Sequence, residues 1–167
     1  MNLDDARVLN LDLGALPAPP NPCRPATKGR VMRVIDGDTF DVLIDGAGEA
    51  ERVRLIGVDT PETSVPRGYP HCYGAEAKQF SEQLIGRMVA LSFDVGCTDP
   101  NGRVLAYVWV GVGDGDLWQR QLLRRGLAKL LIIRPNVFME SQFREDAEVA
   151  QREGRGLWSA CKLPGSP

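Results

Sequence analysis

Residues 30 to 59 contain three short runs rich in β-branched residues, and this segment constrains the fold more than any other part of the chain. The runs are RVMRVID, TFDVLID and ERVRLIGVD, and only short glycine-containing turns separate them. In the second run the apolar residues Phe40, Val42 and Ile44 fall on alternate positions, which is typical of a strand with one buried face. Three such strands joined by tight turns predict a β-meander.

Two more strands and three helices are predicted after the meander. Strand patterns cover residues 88–95 and 104–110, and helix patterns cover residues 73–87, 116–126 and 137–153. Five short strands with helices inserted late indicate an α+β fold that is mostly β. We therefore predict a five-stranded OB-fold Greek-key barrel with three α-helices.

Candidate capping residues mark the end of the first predicted helix and the start of the second. The first helix carries Ala77, Phe80 and Leu84 at i, i+3 and i+7, so these side chains are expected to face the core. Gly86 is the candidate C-cap of that helix, and Asp116 is the candidate N-cap of the next.

The length and proline content of the chain suggest one domain with an N-terminal extension. At 167 residues the chain can form one domain with a sizeable core but is short for two. Residues 1–29 end in LPAPPNPCRPATKG, whose prolines predict an extended linker or an arm strapped onto the domain. We expect the domain to cover residues 30–161, with residues 162–167 as a C-terminal tail.

The overall charge argues against a protein held to nucleic acid by bulk attraction. The net charge is −2 and the pI about 5.5, whereas such proteins are usually basic, so any polyanion contact must come from locally placed cations.

The sequence contains no run of about 18 apolar residues, which is the length needed to span a membrane. The N-terminal MNLDDARVLN is acidic where a secretory signal needs a basic start, so an exported form would have lost or exchanged its signal.

The four cysteines, Cys23, Cys72, Cys97 and Cys161, lack the C-x-x-C spacing of common metal sites. Free thiols in a cytoplasmic protein are one interpretation, and one or two disulfides in an exported protein are the other. The second is favoured because Cys23 and Cys161 lie near the chain ends, where a covalent link restrains the fold. We therefore expect a secreted or cell-envelope (periplasmic) protein, while the three possible pairings stay open.

Acidic residues concentrate in two turns, IDGDT and VDTPET. Asp36 and Asp38 lie in the first, between strands one and two, and Asp59 and Glu62 lie where strand three ends. If the meander brings the turns to one end of the barrel, the crowded carboxylates favour a bound cation. Oxygen ligands without histidine or cysteine indicate Ca²⁺ or Mg²⁺. The single histidine, His71, is interpreted as a surface loop residue.

Two arginines accompany these acids. Arg54 lies within strand three, and Arg103 follows the turn TDPNG before strand five. Arg54 can form a structural salt bridge with Asp38 or Glu62, or it can bind an anionic ligand at the barrel rim. Strict strand alternation places Arg54 on the face opposite Asp59, so both can reach one ligand only if the strand bends, and Gly57 is where a bulge is tolerated.

The motifs VIDGDTFDV, VRLIGVDTPET, YGAEAKQF, GRVLAYVWV, LLRRGLAKL and GRGLWSA resemble, in order and spacing, the staphylococcal nuclease family. The resemblance extends from about residue 30 to residue 160. It implies an OB-fold barrel with three helices, in agreement with the strand and helix patterns. It also implies calcium-dependent hydrolysis of phosphodiester bonds in DNA and RNA, with Ca²⁺ as cofactor.

The resemblance assigns a role to each matching residue. It implies that Asp38 and Asp59 are calcium carboxylates and that the backbone carbonyl of Thr60 is a further ligand. It implies that Glu62 is the general base that activates water, and that hydrolysis leaves a 3′-phosphate. It implies that Arg54 and Arg103 bind phosphate, while Asp36 lies nearby without contacting the ion.

Three positions depart from the family pattern. The family type has a tyrosine where this chain has Asn101, and two more where it has Ile132 and Arg134. Without these aromatic platforms we expect weaker base stacking, lower affinity and a steep loss of activity with salt. Arg134 can contact a phosphate instead. We expect a monomer that prefers single-stranded nucleic acid, and the alternative is a non-catalytic OB module that binds nucleic acid or protein.

Overall fold

The computed structural model describes residues 3–63 and 71–161 of the chain. In that part of the chain the helices are α1 (Asp5–Leu9), α2 (Gly74–Glu82), α3 (Trp118–Arg124), α4 (Glu140–Arg152) and α5 (Leu157–Ala160). The strands are β1 (Thr27–Asp36), β2 (Thr39–Ile44), β3 (Glu51–Leu55), β4 (Gly57–Asp59), β5 (Met88–Ser92), β6 (Val104–Trp109) and β7 (Lys129–Leu131). Short 3₁₀ helices occur at Leu13–Ala15 and Asp114–Asp116.

The barrel closes because β1 is long enough to pair with a different strand on each side. Residues 27–30 pair with β5, and most positions from Gly29 to Asp36 pair with β2. Gly29 pairs with both neighbours, and a Cβ atom there would lie 2.7 Å from Val42 Cγ1, so this corner requires glycine. The closed order β1-β2-β3-β6-β5, with β3 and β6 parallel, confirms the predicted OB-fold barrel.

The barrel interior and the inner faces of the helices share one hydrophobic core. Helix α2 buries Ala77, and its Phe80 ring stacks on Trp118 of α3 with centroids 4.7 Å apart. Helix α4 buries Phe143 and Ala147, which lie four residues apart on one face. The helices therefore cover the barrel, and α2 also supports the first acidic turn, since the Ser81 hydroxyl donates to the Gly37 carbonyl at 2.7 Å.

The predicted helix caps are wrong at both positions. Helix α2 ends at Glu82, and Gly86 lies beyond it in a turn, where it adopts a φ of 80° and donates its N–H to the Val31 carbonyl. Helix α3 begins at Trp118, so Asp116 does not cap it. Asp116 instead accepts the N–H of Gly113, which closes the preceding 3₁₀ turn.

The N-terminal segment lies against the barrel. Val8, Leu11 and Leu16 are buried and belong to the core cluster. Asp5 accepts the backbone N–H of Met88 at 3.0 Å, and Lys28 Nζ donates to the carbonyl of Leu9 at 2.8 Å. The segment before β1 thus packs against the barrel, which is the arm rather than the linker of the two alternatives, and it also contributes side chains to the core, which its prolines did not indicate. The predicted domain limits at residues 30 and 161 stay predictions, and the tail 162–167 lies outside the described residues.

Two disulfides link distant parts of the chain. Cys23 pairs with Cys97, which ties the N-terminal segment to the loop before β6, and Cys72 pairs with Cys161, which ties the start of α2 to the end of α5. The sequence left three pairings open, and the structure selects this one. No helix in the described ranges is long and apolar enough to cross a membrane.

Candidate active site

Two aspartates at the β1–β2 junction, one ending β1 and one in the turn, hydrogen-bond to the segment after β4. Asp38 is buried, and its Oδ2 atom accepts the backbone N–H of Thr60 at 2.9 Å. Asp36 Oδ1 accepts the backbone N–H of Thr63 at 3.1 Å and its hydroxyl at 2.5 Å. The two acidic turns therefore lie against each other at one end of the barrel.

A break between β3 and β4 brings Arg54 and Asp59 together. Strand β3 ends at Leu55, Gly57 adopts a left-handed φ of 84°, and β4 pairs with β7 rather than with a barrel strand. A Cβ atom at position 57 would also lie 2.5 Å from Phe143 Cδ2, so backbone and packing both require glycine. Because of this break, Arg54 Nη2 lies 3.6 Å from Asp59 Oδ1.

Backbone carbonyls and carboxylates hold the Arg54 guanidinium from two sides. Nη1 donates to the carbonyls of Leu55 and Val58 at 2.8 and 2.7 Å. Nη2 lies 3.4 Å from Asp38 Oδ2. The salt bridge with Asp38 that the sequence offered as one alternative is therefore present, and Arg54 also lines the cleft described below, as the other alternative requires. Within the described residues it forms no ion pair with Glu62.

Asp99 fixes the second arginine, Arg103. Its carboxylate accepts the Nε–H of Arg103 at 2.7 Å and the backbone N–H groups of Arg103 and Asn101, each at 2.9 Å. Gly102, with a φ of 79°, completes this tight loop. The two terminal nitrogens of Arg103 form no hydrogen bond with any described residue, so they are available to a ligand.

Arg54 and Arg103 line the same cleft, which has a volume of about 380 Å³. Its walls are the β3–β4 break, the loop before β6 and the segment that follows β7. Leu131 and Ile133 give one wall an aliphatic surface, and Arg134 adds a third guanidinium. A cleft that combines oriented cations with an apolar wall suits an anionic ligand with an organic part.

Comparisons with known proteins identify the family. The family model described as "Staphylococcal nuclease homologue" matches residues 52–160. Thermonuclease of Staphylococcus hyicus is 37% identical over 131 residues, which cover 78% of this chain and 75% of that protein. Thermonuclease of Staphylococcus intermedius is 40% identical over 129 residues, covering 77% and 74%. Endonuclease YncB of Bacillus subtilis (strain 168) is 38% identical over 130 residues, covering 76% and 59%.

The chain belongs to the staphylococcal nuclease family. The matched region contains the break at Gly57 and all three cleft arginines, while Asp38 lies before it. Asp38 nevertheless contacts the matched region directly, through Arg54 and the backbone of Thr60. The relatives cover about three quarters of this chain, so the resemblance concerns the barrel and its site rather than one isolated motif.

The acidic pair of this staphylococcal nuclease homologue has the chemistry of a hard-cation site. Burial and the neighbouring charge of Asp38 raise the pKa of Asp59, although Arg54, Lys129 and His71 act in the opposite direction. In residues 3–63 and 71–161, no three acidic, histidine or cysteine side chains gather around one point. Asp38 and Asp59 therefore fit a divalent ion only if backbone and solvent oxygens complete its coordination, which Ca²⁺ tolerates.

Thr60 and Glu62 occupy different environments. Thr60 is buried, and its hydroxyl oxygen has no hydrogen-bond partner in the described part of the chain. Glu62 is exposed, and its backbone carbonyl accepts the N–H of His71 at 2.8 Å. Neither Glu62 nor the pair Asp38 and Asp59 is among the described residues that line the cleft, and the pair lies beside it, in contact with Arg54. The structure thus brings Asp38 and Asp59 to Arg54, which shares its cleft with Arg103. Glu62, three residues after Asp59, is at the surface.

Two residues that shape the cleft, Asp99 and Asn136, were not predicted from the sequence. Asp99 lies four residues before Arg103, a spacing that could have signalled a local carboxylate–guanidinium pair. Asn136 has no such signal, since it acts across the fold on Gly96. Ile132, which stands where the family type has a tyrosine, is not among the described residues that line the cleft. Its side chain lies near Gly57 instead. Leu131 and Ile133 supply the exposed aliphatic surface.

Proposed function

We propose that this chain is a calcium-dependent nuclease that hydrolyses phosphodiester bonds of DNA and RNA with little preference for the sugar. Its membership of the staphylococcal nuclease family and its similarity to thermonucleases support the nuclease class. The observation that carries the proposal is the position of Arg54, between Asp38 and Asp59 and in the same cleft as Arg103.

The arginines stabilise the charge that develops on the reacting phosphate. In the transition state the equatorial oxygens of a phosphodiester gain negative charge, and fixed guanidinium groups neutralise it without reorganising. Two backbone carbonyls fix Arg54, and the Asp99 carboxylate fixes Arg103. Such preorganisation makes the charges effective when the phosphate arrives. Loss of either guanidinium should lower the rate on the order of 10²-fold or more.

Calcium would be held by the carboxylates of Asp38 and Asp59 and by the backbone carbonyl of Thr60. When bound it supplies a further positive charge beside the phosphate and a position for water. The hydrogen bond from the Thr60 N–H to Asp38 supports this assignment, because it fixes one carboxylate against the backbone that would provide the third oxygen.

Glu62 is the proposed general base. It follows Thr60 by two residues, and its exposed carboxylate can accept a proton from an attacking water. The water oxygen bonds to phosphorus, the bond from phosphorus to the 5′-oxygen breaks, and the leaving oxygen takes a proton from solvent. The phosphate then remains on the 3′-oxygen.

The substrate form, the oligomeric state and the location belong to the same proposal. An open cleft with one aliphatic wall favours single-stranded nucleic acid, whose bases are free to contact it. We propose that the protein acts as a monomer in a secreted or periplasmic location. Two disulfides support an oxidising compartment, since such bonds rarely persist in the cytoplasm.

A non-catalytic OB module is the second candidate. It would keep the barrel and bind nucleic acid or protein without cutting. The retained set of Asp38, Asp59, Arg54 and Arg103 favours the nuclease, because binding alone does not require carboxylates beside the phosphate-binding cations. A module of this kind would bind equally well with calcium or with a chelator.

The test is digestion of labelled single-stranded DNA and RNA with calcium, with other divalent ions and with a chelator, followed by identification of the product ends. The proposal expects calcium-dependent cutting that leaves 3′-phosphates. Glu62→Gln should lower kcat strongly, while Glu49→Gln, in the exposed turn between β2 and β3, should leave it unchanged. Absence of cutting under all conditions, with binding retained, would establish the OB module.

A further inference from the structure

The third guanidinium in the cleft, Arg134, differs from the other two in its environment. Arg54 is close to the Asp38 and Asp59 carboxylates, and Arg103 is paired with Asp99. Arg134 is exposed and forms no ion pair with any residue in the described ranges. Arg134 is therefore the one cleft arginine that forms no ion pair with a carboxylate of the described residues.

The segment that carries Arg134 is held firmly against the barrel. Asn136 accepts the backbone N–H of Gly96 at 2.8 Å through Oδ1 and donates to the Gly96 carbonyl at 3.0 Å through Nδ2. Two residues further on, the N–H of Phe138 donates to Asp94 Oδ2 at 3.0 Å. These bonds fix the backbone next to Arg134, so its guanidinium is presented to the cleft from a defined wall.

That wall is separate from the elements that carry the other two arginines. Arg54 belongs to β3 and Arg103 precedes β6, whereas Arg134 follows β7. On the same wall Leu131 and Ile133 expose 38% and 64% of their surface. A cation beside exposed aliphatic side chains matches the two parts of one nucleotide unit, its phosphate and its base.

We propose that Arg134 binds the phosphate of the nucleotide next to the reacting one, while Leu131 and Ile133 face its base. Arg54 and Arg103, each beside a carboxylate, serve the phosphate that reacts. The cleft then selects a polynucleotide chain over an ester with a single phosphate. This inference rests on the proposed nuclease function and defines how that site recognises its substrate.

The test compares Arg134→Ala with the wild type on two substrates across a series of potassium chloride concentrations. One substrate is a single-stranded thymidine oligonucleotide, and the other is thymidine 5′-nitrophenyl phosphate, which carries one phosphate. Loss of one exposed phosphate contact should raise KM for the oligonucleotide roughly fivefold with kcat unchanged. It should also reduce the slope of log KM against log salt by about 0.7. The single-phosphate ester should show no change.

Two variants serve as controls. Arg152→Ala removes an exposed cation near the end of α4, outside the cleft, and tests whether net charge alone changes the slope. Arg134→Lys keeps the charge and should retain the wild-type slope even if its KM shifts. If circular dichroism and thermal unfolding show that Arg134→Ala fails to fold, Arg134→Gln takes its place, since it removes the charge and keeps a long polar side chain; it should show the same rise in KM and the same reduced slope.

An unchanged KM, an unchanged slope, or an equal loss on the single-phosphate ester would each overturn the assignment of Arg134. An unchanged slope with a raised KM would indicate a contact with the base instead. If the wild type cuts neither substrate, the proposed function fails, and the same salt series is then applied to oligonucleotide binding by fluorescence anisotropy. There the Arg134→Ala slope still decides this inference, and a wild type that does not bind overturns it as well.

Discussion

Asp99 accepts the Nε–H of Arg103 at 2.7 Å and also accepts the backbone N–H of the same arginine at 2.9 Å. The carboxylate thus fixes both ends of one residue and leaves the two terminal guanidinium nitrogens facing the cleft. In the proposed mechanism Asp99 is a positioning residue, because it would act on a phosphate only through Arg103. Orientation of a charge-stabilising group is a recognised source of rate enhancement.

We predict that Asp99→Ala lowers kcat/KM on the order of tenfold, since the guanidinium keeps its charge but loses its fixed orientation. Arg103→Ala should cost on the order of 10²-fold. The informative measurement is the double variant, which should be no slower than Arg103→Ala alone, because Asp99 then has no arginine to position. Independent, multiplying losses in the double variant would show that Asp99 acts by another route.

Arg54 holds the β3–β4 break through the carbonyls of Leu55 and Val58, and in the proposed mechanism it also stabilises the reacting phosphate, so a conservative substitution should affect both stability and rate. Arg54→Lys keeps a positive charge, but an ammonium group cannot donate to the carbonyls of Leu55 and Val58 while also facing Asp38 and Asp59 in the fork geometry of arginine. We predict a fall in kcat on the order of 10²-fold and a lower free energy of unfolding, measured by steady-state kinetics and urea titration.

Arg52→Ala is the matched control for Arg54. Arg52 lies on the same strand with its side chain half exposed and pairs with Asp41 at 2.9 Å on the barrel surface. Removal of that surface pair should change stability by less than about 1 kcal/mol and leave kcat unchanged. If Arg52→Ala is as inactive as Arg54→Lys, the loss reflects general damage to β3 rather than the site.

The barrel and the gathering of acids and arginines could be predicted from the sequence because their signals are local. Alternating apolar residues define the strands, and the tight turns between them limit the topology to a meander. The sequence even shows that strict strand alternation would place Arg54 and Asp59 on opposite faces. It also shows that Gly57, between them, is where the strand can break.

Other features could not be predicted because distant parts of the chain determine them. Strand β7 forms because the break at Gly57 frees β4 to pair with it, and its three residues, Lys129–Leu131, carry no strand signal of their own. Asp116 has the features of an N-cap, yet it pairs with Arg7, 109 positions away. The disulfide partners and the bonds of Asn136 likewise depend on the finished fold.

Tyr107 provides a test of stability against pH. It is buried, and its hydroxyl donates to Asp94 Oδ2 at 2.6 Å. Burial, followed by the hydrogen bond and charge of Asp94, raises the pKa of Tyr107 well above its usual range. Because the folded pKa is higher than the unfolded one, the neutral phenol contributes its full stability below about pH 10, and this contribution is lost as the pH rises above that value.

We predict that Tyr107→Phe lowers the free energy of unfolding by about 1–3 kcal/mol at neutral pH, because Asp94 loses a buried donor. The difference between wild type and variant should shrink as the pH rises above about 10. Urea unfolding at several alkaline pH values measures it. A difference that stays constant with pH would contradict the assigned cause.

Each disulfide should contribute substantially to stability. Cys23–Cys97 and Cys72–Cys161 join residues 74 and 89 positions apart, so each restricts a long loop of the unfolded chain. We predict that replacement of either pair by serine lowers the free energy of unfolding by about 2–5 kcal/mol. Reductant should destabilise each single-pair variant further, through its remaining bond, and a variant lacking both pairs should not respond to it.

The aliphatic wall of the cleft allows a gain of affinity to be designed. Ile133 is exposed and lines the cleft beside Arg134, but an aliphatic side chain offers a base no π-face on which to stack. A stacked base contributes roughly 1–3 kcal/mol. We therefore predict that Ile133→Tyr lowers KM for a single-stranded oligonucleotide by about fivefold or more, with kcat unchanged.

The matched control is Val112→Tyr, which adds the same ring to an exposed position that does not line this cleft. That variant should bind the oligonucleotide as the wild type does. Because stacking involves no counterion release, the slope of log KM against log salt should be the same for Ile133→Tyr and the wild type, in contrast to Arg134→Ala. If Ile133→Tyr raises KM, the tyrosine obstructs the strand, and the substrate base does not lie against this wall.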